Sequence, residues 1–267
     1  MPGEFEGTKV LLVEDEAIIA LHEKAILTNY GLNVEIANTG EDAVECSIED
    51  ATIKLILMDI DLGRGGIDGT EAAERILRQR AIPIVFLTNH TDKSYVERVQ
   101  GITSYGYVIK DSGEFVLLES IRMALQLFEA NMKAHERERE AKREREQLLS
   151  LSETSPVPIV KVNRDGSLAY ANSEALRTLG ITESDVPGRS YDDPNWRITD
   201  FDGNPFPTEK LPFSVVRRAQ KPVYDIRHAI TTPGGESRYL SVNATPVFDD
   251  EGDFDGNGTF DWSSPDS

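Results

Sequence analysis

The sequence predicts two packed domains of different class: an α/β domain on a five-stranded parallel sheet, then an α+β domain with an antiparallel sheet. Three observations carry this. The first half holds five short apolar runs separated by helical patterns. A charged helical stretch without glycine or proline fills the middle. The second half opens with a hairpin pattern, continues with short helices and closes with two longer strands. A length of 267 residues suits about two domains.

The five runs are residues 10–13, 34–37, 55–58, 84–87 and 107–109. Runs of this length bounded by polar residues read as strands buried on both faces, and the helical patterns between them make the sheet parallel. Four runs end on side chains that chemistry can use: Glu14 and Asp15, then Asp59, Thr88 and Lys110. In an open parallel sheet, ligands bind outside the carboxyl ends of the strands, so these five are expected in one crevice. Three carboxylates packed together repel, and a divalent cation relieves that repulsion. Mg²⁺ prefers carboxylate and water oxygens, usually one or two protein carboxylates plus a phosphate. With an ammonium and a hydroxyl alongside, the set suits phosphoryl transfer.

The pieces VLLVEDE, LILMDIDL, DGTEAAERI, IPIVFLT and YGYVIKD follow the order and spacing of response-regulator receiver domains, and residues 8–128 resemble that family. The resemblance implies a flavodoxin-like (βα)5 fold. It also implies a phosphoacceptor that is loaded by a sensor histidine kinase with Mg²⁺ and signals without acting as an enzyme on a separate substrate. Asp59 would be the phosphorylated residue. Glu14, Asp15 and Asp59 would hold the metal, with the Asp61 backbone carbonyl as a further ligand. Thr88 and Lys110 would contact the phosphoryl group, and Tyr107 would be the switch residue. Taken singly, each has a plainer reading. Carboxylates at strand ends commonly cap helices, Thr88 would cap a helix beginning near Asp92, and a strand tyrosine is most often simply packed.

Two departures from the family stand out. Asp111 follows Lys110 where the family usually has a cis-bonded proline. A cis bond before a non-proline residue costs about 2.5–4 kcal/mol, so a trans bond and a shifted loop before the last helix are expected. Gly63-Arg64-Gly65-Gly66 replaces the usual proline after the phosphoacceptor, which is expected to loosen that loop.

From Glu114, Leu118, Ile121, Leu125 and Phe128 recur at helical steps, and the pattern runs on to Leu151. This places the first domain at 7–130, a charged helical linker at 131–150 and the second domain at 151–262. Leu127, Ala134, Ala141 and Leu148 recur at heptad spacing, which allows a parallel homodimer through the linker and second domain. Two alanines, with Arg137 and Glu144 beside them, weaken that seam, and a solvated single helix competes with it. His135-Glu136 lacks the residues that should follow the phosphorylated histidine of a sensor kinase.

In the second domain, residues 158–162, the turn Asn163-Arg164-Asp165-Gly166 and residues 167–170 read as a β-hairpin. Asn172 opens a helix at 173–179. A mixed loop leads to a helix at 211–219 and strands at 223–230 and 238–248, an antiparallel sheet with helices on one side. The stretch VPIVKVNRDGSLAYANSEALRTLG and the GRS at 188–190 resemble a PAS domain, which implies a module that senses a ligand or pairs with another copy. A cysteinyl flavin needs a cysteine here, and the sole cysteine, Cys46, lies in the first domain. His228 is the domain's only histidine, on a predicted strand where a haem ligand is normally helical, which disfavours haem. A small apolar ligand or none remains. Asp253-x-Asp255-x-Asn257-Gly258 matches the opening of an EF-hand loop, but position twelve is Ser264. An acidic turn before a last strand at 259–262 is expected instead.

With 47 acidic against 28 basic residues, the net charge is −19, so DNA and anionic membrane surfaces should repel the chain. The acidic start at 1–7, the lack of an apolar run near about 18 residues and the single cysteine predict a cytoplasmic protein. Two other readings compete. Asp59-Ile60-Asp61 resembles the haloacid-dehalogenase phosphatases, although those carry the motif on their first strand and the acidic pair after the lysine. The chain also fits the receiver–PAS front of a hybrid histidine kinase, which would make the whole an enzyme.

Overall fold

The computed structural model describes residues 5–63, 66–89, 102 and 105–258. The chain divides into two compact units between Arg139 and Glu140.

The first unit runs β1 (Lys9–Val13), α1 (Ala17–Asn29), β2 (Asn33–Ala37), α2 (Gly40–Glu49), β3 (Ile53–Asp59), α3 (Gly69–Gln79), β4 (Ile84–Thr88) and β5 (Tyr107–Ile109). A 3-10 turn, Lys110–Ser112, leads into the long helix α4 (Glu114–Thr154). The sheet order is β2-β1-β3-β4-β5, with every pairing parallel. Side chains alternate across a strand, and the two cores sort by that alternation. Leu11, Val13, Ile56, Met58, Ile84 and Phe86 pack on one face. Val10, Leu12, Leu55, Leu57, Val85 and Leu87 pack on the other. Burial on both faces is why these strands read as continuous apolar runs.

Local chemistry fixes the connections. The Thr39 and Asp68 side chains accept from the amides of Asp42 and Glu71, capping α2 and α3. Arg80 donates to the carbonyls of Ser47, Asp50, Ala51 and Ile53 and so closes the turn from α2 into β3. Cys46 is half-buried against the core. No described peptide bond is cis, so Lys110–Asp111 is trans as expected. Arg64, Gly65 and the helix expected near Asp92 lie outside the described residues.

Helix α4 buries Leu117, Leu118, Ile121 and Ala124, while Phe128 meets the Tyr105 ring edge-on at 5.8 Å. From Glu129 to Leu151 the helix is exposed, Leu148 included, as is Leu127.

The second unit holds β6 (Val160–Asn163), β7 (Leu168–Ala171), α5 (Ser173–Leu179), β8 (Arg197–Thr199), α6 (Pro212–Ala219), β9 (Val223–Thr231), β10 (Ser237–Phe248) and β11 (Phe254–Gly258). They form an antiparallel sheet in the order β7-β6-β11-β10-β9-β8. Asn172, fully buried, ties the start of this unit together. Its amide nitrogen donates to the Ser152 and Val157 carbonyls, and its oxygen accepts from the Ile159 and Ala175 amides.

Two expectations need correction here. The loop before α6 contains β8, whose three residues are too few to show a period. Phe254–Gly258 forms β11, so the segment expected to be an acidic turn is mostly strand. The turn lies earlier, where Asp249 accepts from the amides of Glu251 and Asp253. Gly256 permits this, with φ +137° and a backbone so close to β6 that a Cβ would run into the Val162 carbonyl oxygen. Residues 259–262 and Ser264 lie outside the described residues.

Candidate functional site

The strand order reverses direction at β1, which opens a crevice at the carboxyl ends of β1 and β3. Glu14 and Asp15 follow β1, Asp59 ends β3, Thr88 ends β4 and Lys110 follows β5. Glu14, Asp59 and Thr88 are buried, and Asp15 is exposed at the rim. Carboxylate oxygens of Glu14, Asp15 and Asp59 all lie within 4.8 Å of one another. Three oxygen donors this close are the donor set a hard divalent cation takes.

Lys110 joins the cluster. Its Nζ donates to Glu14 Oε2 at 2.5 Å and to Asp59 Oδ2 at 2.8 Å. Burial alone would lower the Lys110 ammonium, but its bonds to Asp59 and Glu14 reverse this and hold it above its ordinary value. Burial pushes the Glu14 carboxyl up, against the opposing bond from Lys110. Three further oxygens are held by backbone. The Asp61 amide donates to Asp59 Oδ1 at 3.3 Å, the Glu16 amide to Glu14 Oε1 at 3.2 Å and the Gly63 amide to Asp15 Oδ2 at 3.0 Å. The loop whose glycines depart from the family pattern therefore steadies the exposed acid. Thr88 is already buried, whereas Tyr107 is 40% exposed.

Two residues near the site escaped sequence reasoning. Glu23 of α1 is 9% exposed, and its Oε2 has no hydrogen-bond partner. Desolvation lifts its carboxyl to about 7, with Lys110 opposing and Glu14 and Asp59 adding to the rise. The signal was its position on the helix stripe between Ala20 and Leu27, both buried. Gly69 opens α3 directly against β3, where a Cβ would run into the Asp59 carbonyl oxygen. Nothing in the local sequence marks that approach.

Residues 10–122 match the family model of the response regulator receiver domain, and residues 156–259 match that of a PAS domain. The transcriptional regulatory protein PdtaR of Mycobacterium tuberculosis is 33% identical over 121 residues, covering 45% of this chain and 58% of that protein. The phyllosphere-induced regulator PhyR of Methylorubrum extorquens is 33% identical over 88 residues, 33% of each chain. A solved N-terminal domain of a response regulator/sensory box/GGDEF 3-domain protein from Carboxydothermus hydrogenoformans is 46% identical. It covers 47% of this chain and 99% of that one, with a TM-score of 0.44. The chain spans about half the length of the curated relatives it matches. Among the described residues, no helix is long and apolar enough to cross a membrane.

Proposed function

Because this chain carries a response regulator receiver domain followed by a PAS domain, we propose that Asp59 accepts a phosphoryl group from a sensor histidine kinase. The observation that carries this is the Lys110 ammonium seated against Asp59 and Glu14 within a cluster of three carboxylates. Glu14, Asp15 and Asp59 would hold Mg²⁺, with the Asp61 backbone carbonyl as a further ligand. Bound there, the ion supplies positive charge to the transferring oxygens. An Asp59 oxygen forms the new bond to phosphorus as the donor's P–N bond breaks. Lys110 then neutralises a phosphoryl oxygen, and the Thr88 hydroxyl donates to another. No separate substrate is turned over, so the chain acts as a signalling protein in a two-component relay.

For the output, phosphate on Asp59 would pull on Thr88, and Tyr107 would move from its exposed position. Repacking would reach the start of α4. Domain limits of 7–130 and 151–262 around a linker at 131–150 fit a helix whose buried face ends before Leu127. Pairing of two copies through that linker and the PAS domain, in the cytoplasm, completes the reading.

With Mg²⁺ and acetyl phosphate, the chain should gain one acid-stable, hydroxylamine-sensitive acyl phosphate. Asp59→Asn should abolish it. Changing Glu14 and Asp15 together to alanine should remove the metal dependence and most of the rate. Intact-mass spectra showing equal labelling of wild type and Asp59→Asn would overturn the assignment.

A further inference from the structure

Helix α1 and the start of α4 flank a half-open groove of about 460 Å³. Ile18, Ile26 and Leu117 give it an apolar wall, and Glu23, Asp111 and Glu114 line it with carboxylates. Glu23 is 9% exposed, and its Oε2 has no partner. Asp111 and Glu114 are exposed at the rim, where Glu114 accepts from Tyr30 Oη at 3.2 Å. Lys110 borders the same groove, but its ammonium is committed to Glu14 and Asp59. His22 completes the ionisable wall.

Among the described residues of this unit, the other buried acids, Glu14 and Asp59, share the Lys110 ammonium, whereas Glu23 Oε2 has no bond at all. Glu23 stands between Ala20 and Leu27 on the buried stripe of α1, where an apolar side chain would pack. A carboxylate there gives up hydration with no compensating bond, and native proteins seldom keep such a group without a use for it. Asp111, in place of the usual proline, brings charge of the same sign from the other wall. Anions are therefore repelled. A chelated metal ion does not fit either: among the described residues, the carboxylates that converge closely enough are Glu14, Asp15 and Asp59, not those of the groove.

We propose that this groove binds an alkylguanidinium, its planar head paired with the Glu23 carboxylate and its stem laid along Ile18, Ile26 and Leu117. A guanidinium offers a carboxylate two parallel N–H bonds and sheds water more readily than an ammonium does. That suits an acid which has already lost its own water. The stem adds apolar burial that a bare guanidinium lacks. Space is sufficient, since a cavity of about 150 Å³ already admits a single ring.

The test titrates the full-length chain at pH 8, where Glu23, lifted to about 7, is ionised. Mg²⁺ is present to compete for Glu14, Asp15 and Asp59, and isoleucine-methyl NMR reports binding. The probes are N-butylguanidinium, its neutral isostere N-butylurea, and guanidinium without a stem. N-butylguanidinium should shift the Ile18 and Ile26 methyls and bind about tenfold or more tighter than either of the others. Glu23→Gln should bring it down to the level of N-butylurea. Ile18→Ser, at a position 86% exposed and so tolerated by the fold, should weaken N-butylguanidinium several-fold and leave guanidinium unchanged. Arginine capped at both ends carries the same head on a peptide. Binding tighter than N-butylguanidinium assigns the groove to an arginine of a protein partner, and weaker binding assigns it to a free guanidine. N-butylurea binding as tightly as N-butylguanidinium, an affinity unchanged in Glu23→Gln, or no probe binding at millimolar concentration would each overturn the proposal.

Discussion

Glu23 places a carboxyl where α1 packs on the sheet, and its consequences can be read from pH. Its folded value of about 7 exceeds the ordinary 4.5. Between these values the folded chain binds more protons than the unfolded one, so this group's contribution to stability falls as pH rises from about 4.5 to 7 and is flat above. Glu23→Gln should therefore match wild type near pH 4 and exceed it by about 3 kcal/mol at pH 8, measured by urea unfolding at both values. Equal stability of the two chains at pH 8 would show the Glu23 charge to be solvated. Lys110 is the opposite case. Its charge is matched by Asp59 and Glu14, so the ammonium steadies both acids.

Two elements depend on a single residue at their first turn. The start of α3 lies so close to β3 that only a glycine fits at position 69. Gly69→Ala should cost at least about 2 kcal/mol, seen in thermal unfolding, and should slow labelling of Asp59 by displacing its backbone. The start of α5 depends on Asn172. Its amide caps the helix through Ala175 and bonds the Ser152 carbonyl in the last turn of α4. Glu153 adds bonds to Tyr170 and to Ser173, which hold its carboxyl below the usual range. Asn172→Ala should destabilise the second unit by about 2–4 kcal/mol, readable as faster amide exchange in β6 and α5. Unchanged exchange there would leave the four bonds energetically idle.

At the scale of the whole molecule, the proposed output passes through contacts along α4. The exposed heptad positions Leu127 and Leu148 flank two alanines, a seam too thin for a tight coiled coil. Association should therefore be weak and sensitive to phosphorylation. Beryllofluoride with Mg²⁺ should raise the mass seen by light scattering, and changing Leu127 and Leu148 together to Glu should prevent the rise. A monomer under both conditions would leave the helix as a spacer.

The sequence by itself determined the first sheet and its site to a large degree. Strands buried on both faces must be apolar throughout, so the polar residue ending each run is conspicuous, and parallel topology brings those ends together. That is why Glu14, Asp15, Asp59, Thr88 and Lys110 could be expected at one end of the sheet, where the strands place them. The long helix was legible for a similar reason, as its periodicity runs uninterrupted from Glu114. Only the tertiary structure decided what depends on approach between distant segments. Gly69 meets the Asp59 carbonyl, Arg80 reaches four carbonyls across a turn, and Glu23 lost its water to neighbours from other elements. The last strand shows the limit most clearly. Asp253 to Gly258 carries turn-like composition, but pairing with β6 and β10 draws it into the sheet and turns Asn257 inward, because hydrogen bonds to two flanking strands outweigh a weak local propensity.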